Sequence, residues 1–506
     1  MLDLFLYWIK GKGSLSRKDN SSQVGKTMSY SGPNLPEDIW QHIHTLMSLR
    51  DAARAACVSR AFLHSWRHRP NLTLTMQTLG YADFTRKVDN IFRNHSGLGV
   101  KILNLELIKY LDGYTRNCLD SWLQIAVTPR IEELTLMLFS HRPLDALLPR
   151  NLEYEFPCLL LSDGSGSSIQ SLELECCALQ PTVQLGCLGN LTKLHLSSVR
   201  ITGDGLGCLL SISVVLEHLE LKQCHEIISL KIPCMLHRLS YLHVYGCARL
   251  QEIENKAENI HSMYLGDCPA ALSLRESLQF GELLQLKSIN LSYYYKSVYY
   301  ARAEVPSIAP NLETLTLHSL IEMVNTPVDP SKFLHLKHLS IQLGGVSLSP
   351  AYDYLSLASF IDASPSLETF SLKVPQRVPD HDLTIFGASS DLRQTQSPHH
   401  NLRSFKIIGF CTAKSLVELT CHIIENAASL ECTTLDTTKG ASRCSGNSSM
   451  KCSPMPEENV MEAQRALEAI EMYIKEKVRA TSKLKVVEPC RRCHTIEMSK
   501  RFINSG

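Results

Sequence analysis

Apolar positions recur along most of this chain in one phrase: an apolar residue, two variable, an apolar, one variable, an apolar. It stands at Val100, Leu103 and Leu105; Ile131, Leu134 and Leu136; Ile169, Leu172 and Leu174; Leu191, Leu194 and Leu196; Leu216, Leu219 and Leu221. It continues at Leu239, Leu242 and Val244; Ile260, Met263 and Leu265; Leu286, Ile289 and Leu291; Leu312, Leu315 and Leu317; Leu336, Leu339 and Ile341. Weaker copies begin at Leu367, Leu402 and Leu430. The alternation within each phrase predicts a short strand with one buried face. From 169 to 336 the starts are 22, 25, 23, 21, 26, 26 and 24 residues apart, enough for one strand and one return segment.

A second register runs in phase with the first. Cysteine stands eight residues after the opening position at Cys177, Cys224, Cys247 and Cys268, and Pro310-Asn311 and Pro365-Ser366 place turn signals just before two strands. The phrase, spacing and cysteine slot resemble leucine-rich repeats, which predicts an α/β solenoid. The array is assigned to 76–398, with irregular repeats or inserted loops after the starts at 100, 131, 336 and 367.

The flanks lack this period. Residues 1–30 are polar and turn-rich after an apolar start, and are expected to be disordered. Residues 439–457 form a polar linker. Within 458–506, Val460, Leu467, Ile470, Ile474 and Val478 recur at helical spacing, a strand candidate follows at Leu484–Val487, and Cys490-Arg491-Arg492-Cys493-His494 closes the segment.

Residues 33–74 read as helical. Pro36 suits a first helical turn, with Glu37 and Asp38 beside its positive end. Ile39, Ile43 and Leu46 line one face, Asp51 is placed to cap a second helix, and Val58, Phe62 and Trp66 recur at four-residue spacing. Three helices this short bury too little surface to be stable alone, so their apolar residues point to a partner or to a cap on the solenoid. The pattern from Leu35-Pro36-x-Asp38-Ile39 through Cys57-Val58-Ser59-Arg60 to Trp66 resembles an F-box, assigned to 31–75. Ser48-Leu49 departs from the family's usual Leu-Pro pair, and Ala61 from its basic residue. The resemblance implies docking to a Skp-type adaptor, and through it to a cullin, by Leu35, Pro36, Ile39, Ile43, Leu46, Val58, Phe62 and Trp66.

In each strand the variable positions face outward. Tyrosine and histidine gather there at His218, Tyr241, His243, Tyr245 and Tyr264, the candidate site for a protein target, and Tyr293-Tyr294-Tyr295 leaves the next strand. A solvated strand face is the alternative. Residues 399–438, with strand, Gly409-Phe410 turn, helix and second strand, resemble the FBD module of plant F-box proteins, forming a small α/β cap or a terminal repeat. The later tail is similar to that of such proteins in grasses.

Composition narrows the rest. Fifty-one basic against 50 acidic residues argue against a general polyanion-binding surface, so no nucleic-acid partner is expected, and no apolar run is long enough for a membrane span. The 18 cysteines read as reduced, and the compartment as cytoplasm, nucleus or both. No phosphate-binding loop, nucleophile elbow, zinc-protease helix or kinase motif is present. The Cys490–His494 tail matches half of a zinc site or a haem attachment signal, but without further paired ligands or an export signal, no metal or cofactor is assigned. The expectation is a non-enzymatic substrate receptor of an SCF-type ubiquitin ligase. The alternatives are an F-box scaffold or adaptor competitor, a thiol or metal enzyme built on the tail, and a small-molecule sensor.

Overall fold

A computed structural model describes residues 36, 39, 42–43, 46–58, 60–80, 82–96, 99–107, 113–138, 154–162, 165–181, 188–268, 278–280, 283–344, 348–349, 351–375, 379–387, 392–393, 398–438 and 455–490. They fall into two compact units, Met1–Leu239 and Ser240–Gly506.

In the first unit, strands Asn71–Leu74, Ile102–Leu107, Glu133–Leu138, Ser171–Glu175, Lys193–Ser197 and His218–Lys222 lie side by side and parallel. Their register stacks identical phrase positions. Leu72, Leu103, Leu134, Leu172, Leu194 and Leu219 form one buried column, and Leu74, Leu105, Leu136, Leu174, Leu196 and Leu221 form the next. A slip of one residue would turn both columns into water, so burial fixes the register. Helices Phe84–Asn94, Gly113–Ala126 and Gly203–Ser211 return the chain. The long interval after Val100 holds the second of these, whose Trp122 stacks on Phe92 with ring centroids 5.9 Å apart.

Two expectations change here. Asn71–Leu74 is a strand, although the sequence reads 33–74 as helical. Leu72 and Leu74 alternate with polar residues and pair with the following repeat, which outweighs the helical context. Helix Leu49–Val58 is capped by Ser48 rather than Asp51: the Ser48 hydroxyl accepts from the Asp51 N–H at 3.1 Å and donates to its carboxylate at 2.7 Å. That hydrogen bond holds the Asp51 carboxyl below its ordinary range.

The second unit aligns nine parallel strands: Tyr241–Tyr245, Ser262–Gly266, Ser288–Tyr295, Thr314–Ile321, His338–Leu343, Thr369–Lys373, Ser404–Ile408, Cys432–Asp436 and Lys483–Val487. Every phrase read from the sequence is a strand, and so is the 484–487 candidate. Register again stacks like on like, and in the weak copies Phe370 and Phe405 replace leucine, stacking at 5.6 Å. The opening apolar residues, Val100 through Leu430, form a third buried set.

The phased cysteines behave as their register requires. Cys177, Cys224, Cys247 and Cys268 are buried thiols, and the Cys224 thiol donates to the carbonyls of Leu196 and Lys222 at 3.5 and 3.4 Å. Between Ser404–Ile408 and helix Lys414–Asn426, Gly409 takes φ +84°, and a Cβ there would stand 2.2 Å from the Val374 carbonyl oxygen. Only glycine fits this turn without strain. Helix Glu457–Ala469 buries Val460, Ala463, Ala466 and Ala469, and its Glu462 carboxylate accepts from the Thr412 N–H and hydroxyl, each at 2.7 Å.

Candidate functional site

The two candidate surfaces belong to different units. The first is the helical segment before the first strand. Ala52, Ala53 and Ala56 bury the inner side of helix Leu49–Val58, their small side chains letting helix Arg60–Arg67 approach, and Trp66 is buried with them. The chain itself therefore uses Trp66. Leu46 is 76% exposed and Ile39 40%, Pro36 is exposed, and Ile43 and Phe62 are half-buried. Val58 ends its helix, and Leu35 lies outside the described residues.

Arg69 joins this segment to the repeats. Its guanidinium donates from Nη2 to the Met47 carbonyl at 2.9 Å and from Nε to the Asn71 carbonyl at 3.1 Å. Burial lowers its pKa from the ordinary value. No local pattern announces this role, since Arg69 reads as one more surface base between the helices and the repeats.

On the outward strand face of the first unit, His195 sits between glutamates of its two neighbouring strands. His195 Nδ1 lies 2.9 Å from Glu173 and 3.8 Å from Glu220. Its hydrogen bond holds the Glu173 carboxyl below the usual range, whereas burial raises that of Glu175. His218 is half-buried at the start of its strand, where Lys193 is its register partner.

The remaining sequence candidates come together in the second unit. Register sets His243 beside Tyr264, and their rings meet at 4.1 Å between centroids. Tyr241 lies edge-on to His243 at 6.3 Å, and Tyr245 edge-on to Tyr264 at 6.1 Å. The residue opposite Tyr245 is Gly266, where a Cβ would come within 2.7 Å of the Tyr245 ring. That glycine makes room for the ring. Asp267, which the sequence reading passed over, hydrogen-bonds the Tyr245 hydroxyl and accepts the Tyr294 N–H at 3.0 Å. Burial, then this bond, raises the Tyr245 phenol. Beyond it Tyr294 and Tyr295 are exposed and pack at 4.7 Å, while Tyr293 is buried. The result is a half-exposed aromatic cluster, fixed by register and suited to large contact area at low entropic cost.

Cys490 is half-buried, and Cys493 and His494 lie outside the described residues. No helix among the described residues is long and apolar enough to cross a membrane.

Comparison with known proteins gives these surfaces a context. The family model described as "At1g61320/AtMIF1, LRR domain" matches residues 91–491, and the F-box domain model matches residues 33–74. The first match runs through the FBD-like segment. No curated protein matches. Among solved structures, the chain is similar to one in "Crystal structure of mouse RP105/MD-1 complex", at 15% identity and a TM-score of 0.28, over 81% of this chain and 64% of that one, less than two thirds of its length. This chain belongs to the At1g61320/AtMIF1-type LRR family and carries an F-box ahead of its leucine-rich repeats.

Proposed function

We propose that the chain is the substrate-recognition subunit of an SCF-type ubiquitin ligase. An F-box joined to leucine-rich repeats is the architecture of such receptors in general, and it is typical of adaptor or receptor proteins rather than enzymes. In this reading the F-box docks a Skp-type adaptor and, through it, a cullin. The repeats hold a target protein, and ubiquitin transfer occurs on other subunits. The receptor's contribution is proximity and orientation.

The observation that carries the reading is the outward placement of Leu46 and Ile39 beside an otherwise packed helix pair. A large exposed leucine next to a buried alanine seam is what a partner surface needs and an internal cap does not. Tyr241, His243, Tyr245 and Tyr264 are the proposed target contacts in the second unit, and His218 a contact in the first. Residues 399–438 run strand, turn, helix and strand, an order that suits an FBD module and a terminal repeat alike.

Co-expression with a Skp-type adaptor and a cullin tests the reading. A complex of all three that places ubiquitin on a co-purifying protein, with Tyr264→Ala reducing that transfer, is the expected result. Adaptor binding without cullin would instead identify a scaffold or adaptor competitor, and no adaptor binding would refute both.

A further inference from the structure

Behind the second unit's strand face, three side chains from distant parts of the sequence converge. Asp362 ends helix Ala358–Asp362, His399 precedes strand Ser404–Ile408, and His422 lies on helix Lys414–Asn426. Both histidines are buried, and the aspartate is partly exposed. The Nε2 atoms of His399 and His422 face each other at 3.4 Å, and Asp362 Oδ1 lies 3.5 Å from His399 Nε2. The ligand atoms of all three lie within 4.8 Å of one another.

The frame is rigid. The His399 N–H donates to the Asn426 carbonyl at 2.9 Å, and a parallel bridge pairs His399 with Ala427. The C-terminal end of one buried helix thus carries His422 and anchors the backbone of His399.

A hydrogen bond between two neutral imidazoles is the plain account of the 3.4 Å separation, which lies at the long end for such a contact. Two nitrogens each about 2.0–2.1 Å from a tetrahedral ion stand about 3.3–3.4 Å apart. A nitrogen and a carboxylate oxygen on such an ion stand at a similar separation. We propose that His399, His422 and Asp362 form a zinc site, with solvent as fourth ligand. Asp362, the exposed member of the three, also lines an open cleft with Arg302, Asp329 and Ser359. Coordination through Nε2 places the His422 proton on Nδ1. Asn426 Nδ2 donates to the His422 carbonyl at 2.8 Å and lies 3.2 Å from Nδ1, so ion binding through Nε2 requires that amide to move off Nδ1. Three ligands and one solvent position constitute an open site, and here the ion would lock the terminal repeats together.

The test uses the full chain with Cys490→Ser and Cys493→Ser, so that the tail thiols cannot hold the ion. After chelator treatment, zinc chloride is titrated by calorimetry, and cobalt chloride by its visible absorption. One ion per chain, with the intense bands of a tetrahedral cobalt site and a higher melting temperature, is expected. Asp362→Asn, at a partly exposed position that folding tolerates, should weaken binding by about tenfold or more, and His399→Gln should remove the cobalt bands. Absence of stoichiometric binding in the Cys490→Ser/Cys493→Ser chain would overturn the proposal, as would affinity unchanged by Asp362→Asn and His399→Gln.

Discussion

Replacing Arg393 by methionine isolates one buried charge in the second unit. Glu418 lies inside helix Lys414–Asn426 with its side chain 1% exposed, and it accepts from the Arg393 N–H at 3.0 Å, from Nε at 2.8 Å and from Nη2 at 2.6 Å. The other edge of the guanidinium meets Asp353 in a bidentate pair at 2.7 and 2.8 Å. Both carboxylates hold the guanidinium in its charged form. Arg393→Met leaves Glu418 with only the backbone donor. Removing one partner of a fully buried pair costs about 3–5 kcal/mol. The Arg393 side chain is 52% exposed, however, so water reaches the site and screens the loss, bringing it to about 1–3 kcal/mol. A unit of this size loses roughly 2–4 °C per kcal/mol, which predicts a fall of roughly 2–12 °C in its melting transition. Calorimetric unfolding of wild type, Arg393→Met, Glu418→Met and the double variant measures it. The double variant should be more stable than the sum of the single losses allows, since it removes the stranded charge. An Arg393→Met melting point within a degree of wild type would refute the reasoning, and so would strict additivity.

Gly409→Ala places a Cβ 2.2 Å from the Val374 carbonyl oxygen in a left-handed turn. The conformational and steric costs together predict a loss of about 2–5 kcal/mol, read by denaturant unfolding. Ser48→Ala removes the cap of helix Leu49–Val58 and should destabilise the F-box by about 1 kcal/mol, with Ser48→Asn restoring most of it in a thermal melt. Gly266→Ala puts a Cβ 2.6 Å from the Ser292 carbonyl oxygen and 2.7 Å from the Tyr245 ring, so it should lower the melting temperature and also displace the ring. Tyrosine fluorescence would report it, along with weaker target retention if the aromatic cluster is the contact.

The strands were legible because the phrase carries both period and spacing. Two leucine columns buried on one face of the strands demand alternation, and one repeat per 21–26 residues demands stacking. The cysteine slot was legible for the same reason. Strand Asn71–Leu74 was missed because it lacks the lead-in apolar residue of the phrase and sits directly after a helical segment. Ser48 was read as a departure from a family pattern, and its capping role appears only once the helix start is fixed. The aromatic cluster was half legible. His243 and Tyr264 are 21 residues apart, matching the interval between the starts at Leu239 and Ile260, so register alone pairs them. Gly266 and Asp267, which shape the cluster, carry no composition signal. Arg393 with Glu418, and Thr412 with Glu462, join residues 25 and 50 positions apart, and no local pattern announces such pairs.

The central claim is that the outward leucine and isoleucine of the F-box meet an adaptor. Titrating a purified Skp-type adaptor into the full chain by calorimetry tests it, comparing wild type with an Ile39→Asp/Leu46→Asp variant. Leu46 is 76% exposed and Ile39 40%, so a melt of the variant beside wild type controls for its folding. The account predicts saturable one-to-one binding to wild type, weakened at least tenfold in the variant. Equal binding by both proteins, or none by wild type, would contradict it.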